Sequence, residues 1–199
     1  MTGMTMRRAY VVDDDPALRR TIGRILAGRE IVAEEFDSAE AFLTDYSSRP
    51  IGCVLLDVRL PGMDGLDLLE RIADLHPANP VIMLSGYGDV PSAVRAVKVG
   101  AFDFLQKPFH KDQLLDLVDK AFAMIAEHES TAAEFEGLTP REREVLTAFG
   151  AGAQNKVVAA DLGLSPRTVE MHRARIFKKL SVTNLSQALL RARDVGLIN

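Results

Sequence analysis

Apolar and polar positions follow one rhythm over roughly the first two thirds of the chain and another after residue 137. Up to residue 126, five short apolar runs, at 6–12, 31–35, 51–56, 80–84 and 102–105, read as strands. The stretches 15–27, 38–46, 64–75, 91–99 and 111–125 instead repeat their apolar residues close to every 3.6 positions, the period of an amphipathic helix. Several open on Asp, Ser or Pro, residue types that start helices. Strand and helix alternating in this way predict a doubly wound, five-stranded parallel sheet of the α/β class.

Residues 127–137 are polar and acidic but rich in Ala and Glu, so they read as a linker or as a continuation of the fifth helix, ended by Gly137. Beyond it the pattern is wholly helical. Thr139-Pro140-Arg141-Glu142 supplies a capping hydroxyl, a first-turn proline and an acid at the third position, which predicts a helix to about Phe149. A second helix is expected at 155–162. Ser165-Pro166 then restarts the chain for a third ending near Leu180, and 185–195 gives a fourth. The expected division is therefore 1–126, a linker at 127–137, and an all-α unit at 138–199.

Charge sharpens that division. The net charge of −4 conceals 14 Lys and Arg against 20 Asp and Glu in residues 1–127, but 10 against 5 in residues 138–199. An acidic body carrying a basic end favours a polyanionic partner for that end. The single Cys53 lies in an apolar run and fits burial as a small hydrophobe in a reducing cytoplasm. Residues 1–8 lack an apolar leader core, and no run of about 18 uncharged apolar residues follows, so a soluble cytoplasmic protein with no membrane partner is expected. His76, His110 and His128 show no metal-ligand spacing.

In an open parallel sheet the carboxyl ends of the strands line one crevice. Asp13, Asp14 and Asp15 follow the first strand, Asp57 the third, Ser85 the fourth and Lys107-Pro108 the fifth, so groups far apart in sequence are expected to converge. Clustered carboxylates with one lysine suit Mg²⁺ and a phosphoryl group. Asp15, followed by Pro16, suits the cap of the next helix equally well.

On these residues, and on the flanks Pro61-Gly62-Met63-Asp64-Gly65 and Gly100-Ala101-Phe102-Asp103-Phe104, residues 6–126 resemble the receiver domain of two-component response regulators. The resemblance implies that Asp57 accepts a phosphoryl group from a cognate histidine kinase, with Lys107 and Ser85 assisting. It further implies Mg²⁺ held by Asp14, Asp57 and the backbone carbonyl of Arg59, with Asp13 orienting its water. Ser85 and Phe104 would form the switch, Arg59 and Tyr87 would overhang the crevice, and residues 91–105 would pair two receivers into a homodimer on phosphorylation.

On a helix at about 100° per residue, Val169, Ile176 and Leu180 fall on one stripe. Arg167, Glu170, Met171, Ala174 and Lys178 lie opposite, with Arg175 at the edge. A stripe mixing cations, an acid and small apolar groups suits base edges and phosphates in a major groove. Asn155 and Lys156 stand at a helix start, where backbone N–H groups also favour phosphate. The segment 138–146, Asn155-Lys156, and Ser165-Pro166-Arg167-Thr168-Val169-Glu170-Met171-His172 resemble the LuxR-type helix-turn-helix of FixJ/NarL-class response regulators, with a departure at Val157-Val158. This second resemblance implies promoter DNA as partner, RNA polymerase as a further one, and binding in pairs. The implied contacts are Asn155, Lys156, Arg167, Thr168, Glu170, Met171, His172, Ala174, Arg175, Lys178 and Lys179. The chain thus reads as a phosphorylated transcription regulator rather than an enzyme acting on small phosphoesters, because Arg59 occupies the position two beyond Asp57 where such an enzyme needs a second acid. A protein-binding module whose basic end docks an acidic partner is the other alternative.

Overall fold

The structure, a computed structural model, describes residues 6–76, 78–86 and 90–198. The chain divides after Ile125 into two compact units. In the first, β1 (Arg8–Val12), α1 (Pro16–Ala27), β2 (Val32–Phe36), α2 (Ala39–Leu43), β3 (Cys53–Asp57), α3 (Gly65–Leu75), β4 (Val81–Ser85), α4 (Val90–Val99) and β5 (Asp103–Gln106) precede α5 (Lys111–Glu136). The sheet is parallel throughout, in the order β2-β1-β3-β4-β5.

Side chains on successive strand positions point to opposite faces, and both faces are covered. Tyr10, Val12, Val54, Leu56 and Met83 pack with Phe42, Leu68, Leu69, Ile72 and Ala96 of α2, α3 and α4. Ala9, Val11, Cys53, Leu55, Ile82 and Leu84 pack with Ile22 and Leu26 of α1 and Leu114, Val118 and Ala121 of α5. This is why the central strands are near-continuous apolar runs: every residue of β3 and β4 is buried, including the polar last residue of each.

The strands sit one or two residues later than the apolar runs alone suggest. Met6 is apolar yet 60% exposed and stands outside the ladder, whereas Asp57 pairs with Leu84 and Ser85 with Gln106 inside it. Hydropathy locates the buried stretch; backbone pairing sets the ends. The second helix is also shorter than 38–46. Thr44 turns extended and Asp45 adopts a left-handed φ of 60°, which Asp tolerates. A tight turn at Tyr46–Ser48 follows, with the Tyr46 ring 4.6 Å from that of Phe42.

Of the two readings of 127–137, helical continuation holds: α5 runs on to Glu136. In the second unit, α6 (Pro140–Gly150), α7 (Asn155–Asp161), α8 (Pro166–Lys179) and α9 (Leu185–Asp194) enclose a core of Phe135, Leu138, Leu146, Phe149, Val169, Ile176 and Leu180, among others. Thr139 and Glu142 form a reciprocal capping box, and Ser165 and Asn184 cap α8 and α9. Among the described residues no helix is long and apolar enough to cross a membrane.

Candidate functional site

The backbone hydrogen bonds of the sheet deliver the reactive groups to one edge. Asp13 donates its N–H to the Phe36 carbonyl just past the β1/β2 ladder, and Lys107 donates its N–H to the Ser85 carbonyl at 2.6 Å just past β5. Asp57 and Ser85 end the strands between them. The side chains of Asp13, Asp57 and Lys107 meet: the Lys107 Nζ lies 2.7 Å from Asp13 Oδ2 and 2.9 Å from Asp57 Oδ2. Asp13, Asp14 and Asp57 each offer a carboxylate oxygen within 4.8 Å of the others. Asp15 takes the other course open to it, its carboxylate accepting from the Ala17 N–H at 2.7 Å to cap α1.

One ammonium shared by two carboxylates explains the electrostatics. Burial pushes the Asp57 carboxyl above its usual range, and Asp13 adds to the rise, while the Lys107 hydrogen bond only partly opposes it. Burial works against the Lys107 charge as well, but bonds to both Asp13 and Asp57 outweigh it and raise its pKa. The lysine is therefore held as a cation and the Asp57 carboxylate is under-compensated.

The three acids differ in how firmly they are held. Asp13 is fully buried and uses every polar group: its N–H and carbonyl are bonded, Oδ1 accepts from the Asp15 N–H at 2.9 Å, and Oδ2 meets Lys107. Asp14 is exposed and makes no hydrogen bond or ion pair among the described residues. Among the described residues Asp57 Oδ1 receives only the Arg59 N–H, at 3.4 Å. These are hard oxygen donors in the set a small divalent cation takes, so the residues fit Mg²⁺. Ser85 is fully buried and its hydroxyl donates to the Gly86 carbonyl at 3.1 Å. Phe104 is half-buried against the core on the α2–α4 face, and the Arg59 side chain is exposed. Tyr87 lies outside the described residues.

In the second unit, α8 turns Val169, Ile176 and Leu180 inward, as its spacing predicts, and leaves Arg167, Glu170, Met171, Ala174, Arg175 and Lys178 exposed. Lys156 is exposed at the start of α7. Four other residues of the expected contact set are engaged internally or half-buried. Thr168 donates its N–H to the Ser165 hydroxyl, Asn155 Oδ1 accepts from Arg173 at 3.1 Å, and the half-buried His172 has its Nδ1 enclosed without a partner. Lys179 Nζ lies 2.7 Å from Glu142 Oε2 and 3.0 Å from the Gly137 carbonyl.

The match to known families covers both units. The response regulator receiver domain matches residues 9–119, and the luxR family of bacterial regulatory proteins matches residues 136–192. The chain belongs to the LuxR-type response regulators. It is 38% identical over 202 residues to the transcriptional regulatory protein FixJ of Bradyrhizobium diazoefficiens, spanning 98% of each chain. It is 38% identical over 192 residues to the response regulator protein TmoT of Ectopseudomonas mendocina, spanning 93% of this chain and 87% of that one. Among solved structures, full-length FixJ from B. japonicum aligns with a TM-score of 0.60 at 38% identity, over 98% of this chain and 100% of that one. The response regulator StyR aligns with a TM-score of 0.58 at 34% identity, over 95% and 99%. This response regulator is thus a transcriptional regulator built from a receiver domain and a LuxR-type DNA-binding domain.

Two residues that sequence reasoning passed over support its two sites. Arg19 of α1 donates from NH1 to the Asp13 carbonyl at 2.6 Å, and Arg173 of α8 reaches Asn155 of α7. A helical projection carries a signal for the first: Arg19 lies about 20° from Leu26, seven residues on, which puts an arginine on the buried face.

Proposed function

We propose that this response regulator is loaded with a phosphoryl group on Asp57 by a histidine kinase, pairs with a second copy, and then binds promoter DNA to regulate transcription in the cytoplasm. The observation that carries the reading is the Lys107 ammonium held between Asp13 and Asp57. It supports the reading because a positive charge held beside Asp57 can meet the oxygens of an incoming phosphoryl group.

A carboxylate oxygen of Asp57 attacks phosphorus, the P–N bond to the kinase imidazole breaks with its electron pair leaving on nitrogen, and an acyl phosphate forms. Asp14, Asp57 and the Arg59 carbonyl would hold Mg²⁺, with Asp13 orienting its water. The bound ion supplies charge neutralisation between the carboxylates and the phosphoryl oxygens. Lys107 exchanges its Asp57 contact for a phosphoryl oxygen, and the Ser85 hydroxyl leaves the Gly86 carbonyl for another. Phe104 turns inward behind Ser85.

Charge-assisted hydrogen bonds contribute about 1.5 to 3 kcal/mol each, so the Lys107 and Ser85 contacts together are worth about 3 to 6 kcal/mol. Moving a two-state population from 1:99 to 99:1 takes about 5.5 kcal/mol. Two contacts are therefore of the right size to switch the domain, the upper end of their range reaching that figure. The exposed face of α8, with Arg167, Glu170, Met171, Ala174, Arg175 and Lys178, supports groove binding alongside Lys156, and RNA polymerase is the natural further partner of such a complex. Asp57→Asn is expected to abolish labelling by radioactive acetyl phosphate, and undiminished labelling would refute the acceptor assignment. Selection from random DNA with and without the phosphodonor is expected to return one motif, enriched by phosphorylation.

A further inference from the structure

We infer that Arg19 is a positioning residue for the cation site, setting Mg²⁺ affinity through the backbone of Asp13 without touching the metal. The inference rests on the cation reading of the acid cluster given above. Asp14, which is exposed and makes no bond among the described residues, takes its place from the segment between β1 and α1, and the fastening of Asp13 decides where that segment lies. Three of the four bonds that hold Asp13 have other duties: the sheet uses its N–H, Lys107 its Oδ2, and the Asp15 N–H its Oδ1. The fourth, from Arg19 NH1 to the Asp13 carbonyl at 2.6 Å, comes from the second turn of α1.

The surroundings of Arg19 fit that role. Its side chain is only 15% exposed, and its Nε is buried without a hydrogen bond, 3.8 Å from Glu35 Oε2 on the neighbouring strand β2. Glu35 also packs close to Gly23, one turn along the same face of α1, where a Cβ would stand 3.2 Å from Glu35 Oε1. A guanidinium so little exposed, with a carboxylate near its Nε, is held in place and its charge is partly met by Glu35. It therefore acts on the site through geometry, as a partner behind the ligands, and such partners typically alter metal affinity by about ten- to a hundredfold when removed.

The test titrates the full chain with Mg²⁺, following the amide resonance of Asp14 and the rise in melting temperature. Asp14→Asn serves as the control that removes a ligand. Arg19→Gln removes the fork and the charge; Arg19→Lys keeps a charge and an aliphatic stem, protecting the fold, but ends one atom short of NH1. Both Arg19 variants are expected to bind Mg²⁺ about tenfold more weakly, with Arg19→Lys melting close to the wild type in the absence of metal. Wild-type affinity in Arg19→Lys would mean that charge alone matters and would overturn the inference. So would tighter binding in Arg19→Gln, which would mark Arg19 as a competing cation. A wild-type chain indifferent to Mg²⁺ removes the cation reading itself, whereas normal wild-type binding with unmoved variants removes the role of Arg19 alone.

Discussion

Replacing Lys179 by Ala should destabilise the DNA-binding unit without weakening its grip on phosphates. Lys179 belongs to the basic end of the chain, yet its Nζ sits 2.7 Å from Glu142 Oε2, and Glu142 is 2% exposed. That carboxylate also accepts the Thr139 N–H at 2.8 Å as part of the capping box. Removing the ammonium leaves a buried charge with one donor in place of two. Severing a buried pair costs about 3 to 5 kcal/mol, but the lysine side chain is 38% exposed and the cap persists. One lost charge-assisted bond, about 1.5 to 3 kcal/mol, is the better measure. For a domain of this size that lowers the melting temperature by roughly 6 to 24 °C.

The pH dependence gives the effect a second signature. Burial pushes the Glu142 carboxyl up, but Lys179 and the Thr139 bonds outweigh it and hold it below its ordinary value of 4.5. A depressed acid stabilises the folded state above the ordinary value and loses that contribution as pH falls through the folded one. The deficit of Lys179→Ala should therefore be full at neutral pH and shrink below 4.5, read by urea unfolding of the full chain with hydrogen exchange at α8 amides. Lys178→Ala provides the contrast: it should reduce the salt slope of DNA binding by about 0.9 at unchanged stability. If Lys179→Ala instead flattens that slope and leaves unfolding untouched, Lys179 is a phosphate contact and the reasoning fails.

Two further outcomes follow from close packing. A Cβ at Gly65 would stand 1.9 Å from the Asp57 carbonyl oxygen, so Gly65→Ala must drive α3 from the end of β3; a loss of about 3 kcal/mol in urea unfolding and slower acetyl phosphate labelling are expected, and wild-type values for both would show that α3 has slack there. Cys53 is fully buried and its thiol is pushed up to about 12, so iodoacetamide at pH 8 should leave the native protein unmodified and alkylate it once unfolded; modification of the native protein at the rate of a free thiol would contradict that burial.

Much of the fold is legible because its two rhythms have simple causes. β3 and β4 are buried on both faces and therefore read as unbroken apolar runs, while α3 buries Leu66, Leu68, Leu69 and Ile72 on one side and α8 buries Val169 and Ile176 on one side. The ends are less legible. Asp57 and Ser85 complete their strands as polar residues because the ladder, not hydropathy, holds them there. Asp45 breaks the second helix with a backbone angle that composition does not reveal. Ala and Glu between 126 and 136 favour helix wherever they stand, so polarity alone could not separate a linker from the long α5.

The candidate sites show where reading charge from sequence stops. Asp13, Asp14, Asp57 and Lys107 are legible because strand order fixes where their backbones end, and short side chains cannot stray far from there. Arginine and lysine have long side chains, so their positions in sequence leave their destinations open. Of the basic residues in the second unit, Arg141 bonds the Leu162 carbonyl, Arg173 bonds Asn155, Lys179 bonds Glu142, and Arg191 bonds the Leu180 carbonyl and pairs with Glu134. Lys156, Arg167, Arg175 and Lys178 make no such bond among the described residues and lie exposed on α7 and α8. The excess charge that marks this end as a polyanion binder is therefore divided between holding the helices together and facing a partner. Every guanidinium or ammonium bonded internally, Arg143 on the Leu138 carbonyl included, helps fix the geometry with which these four and the exposed Arg193 of α9 are presented. Net charge identifies the class of partner; the internal bonds decide which cations are free to meet it.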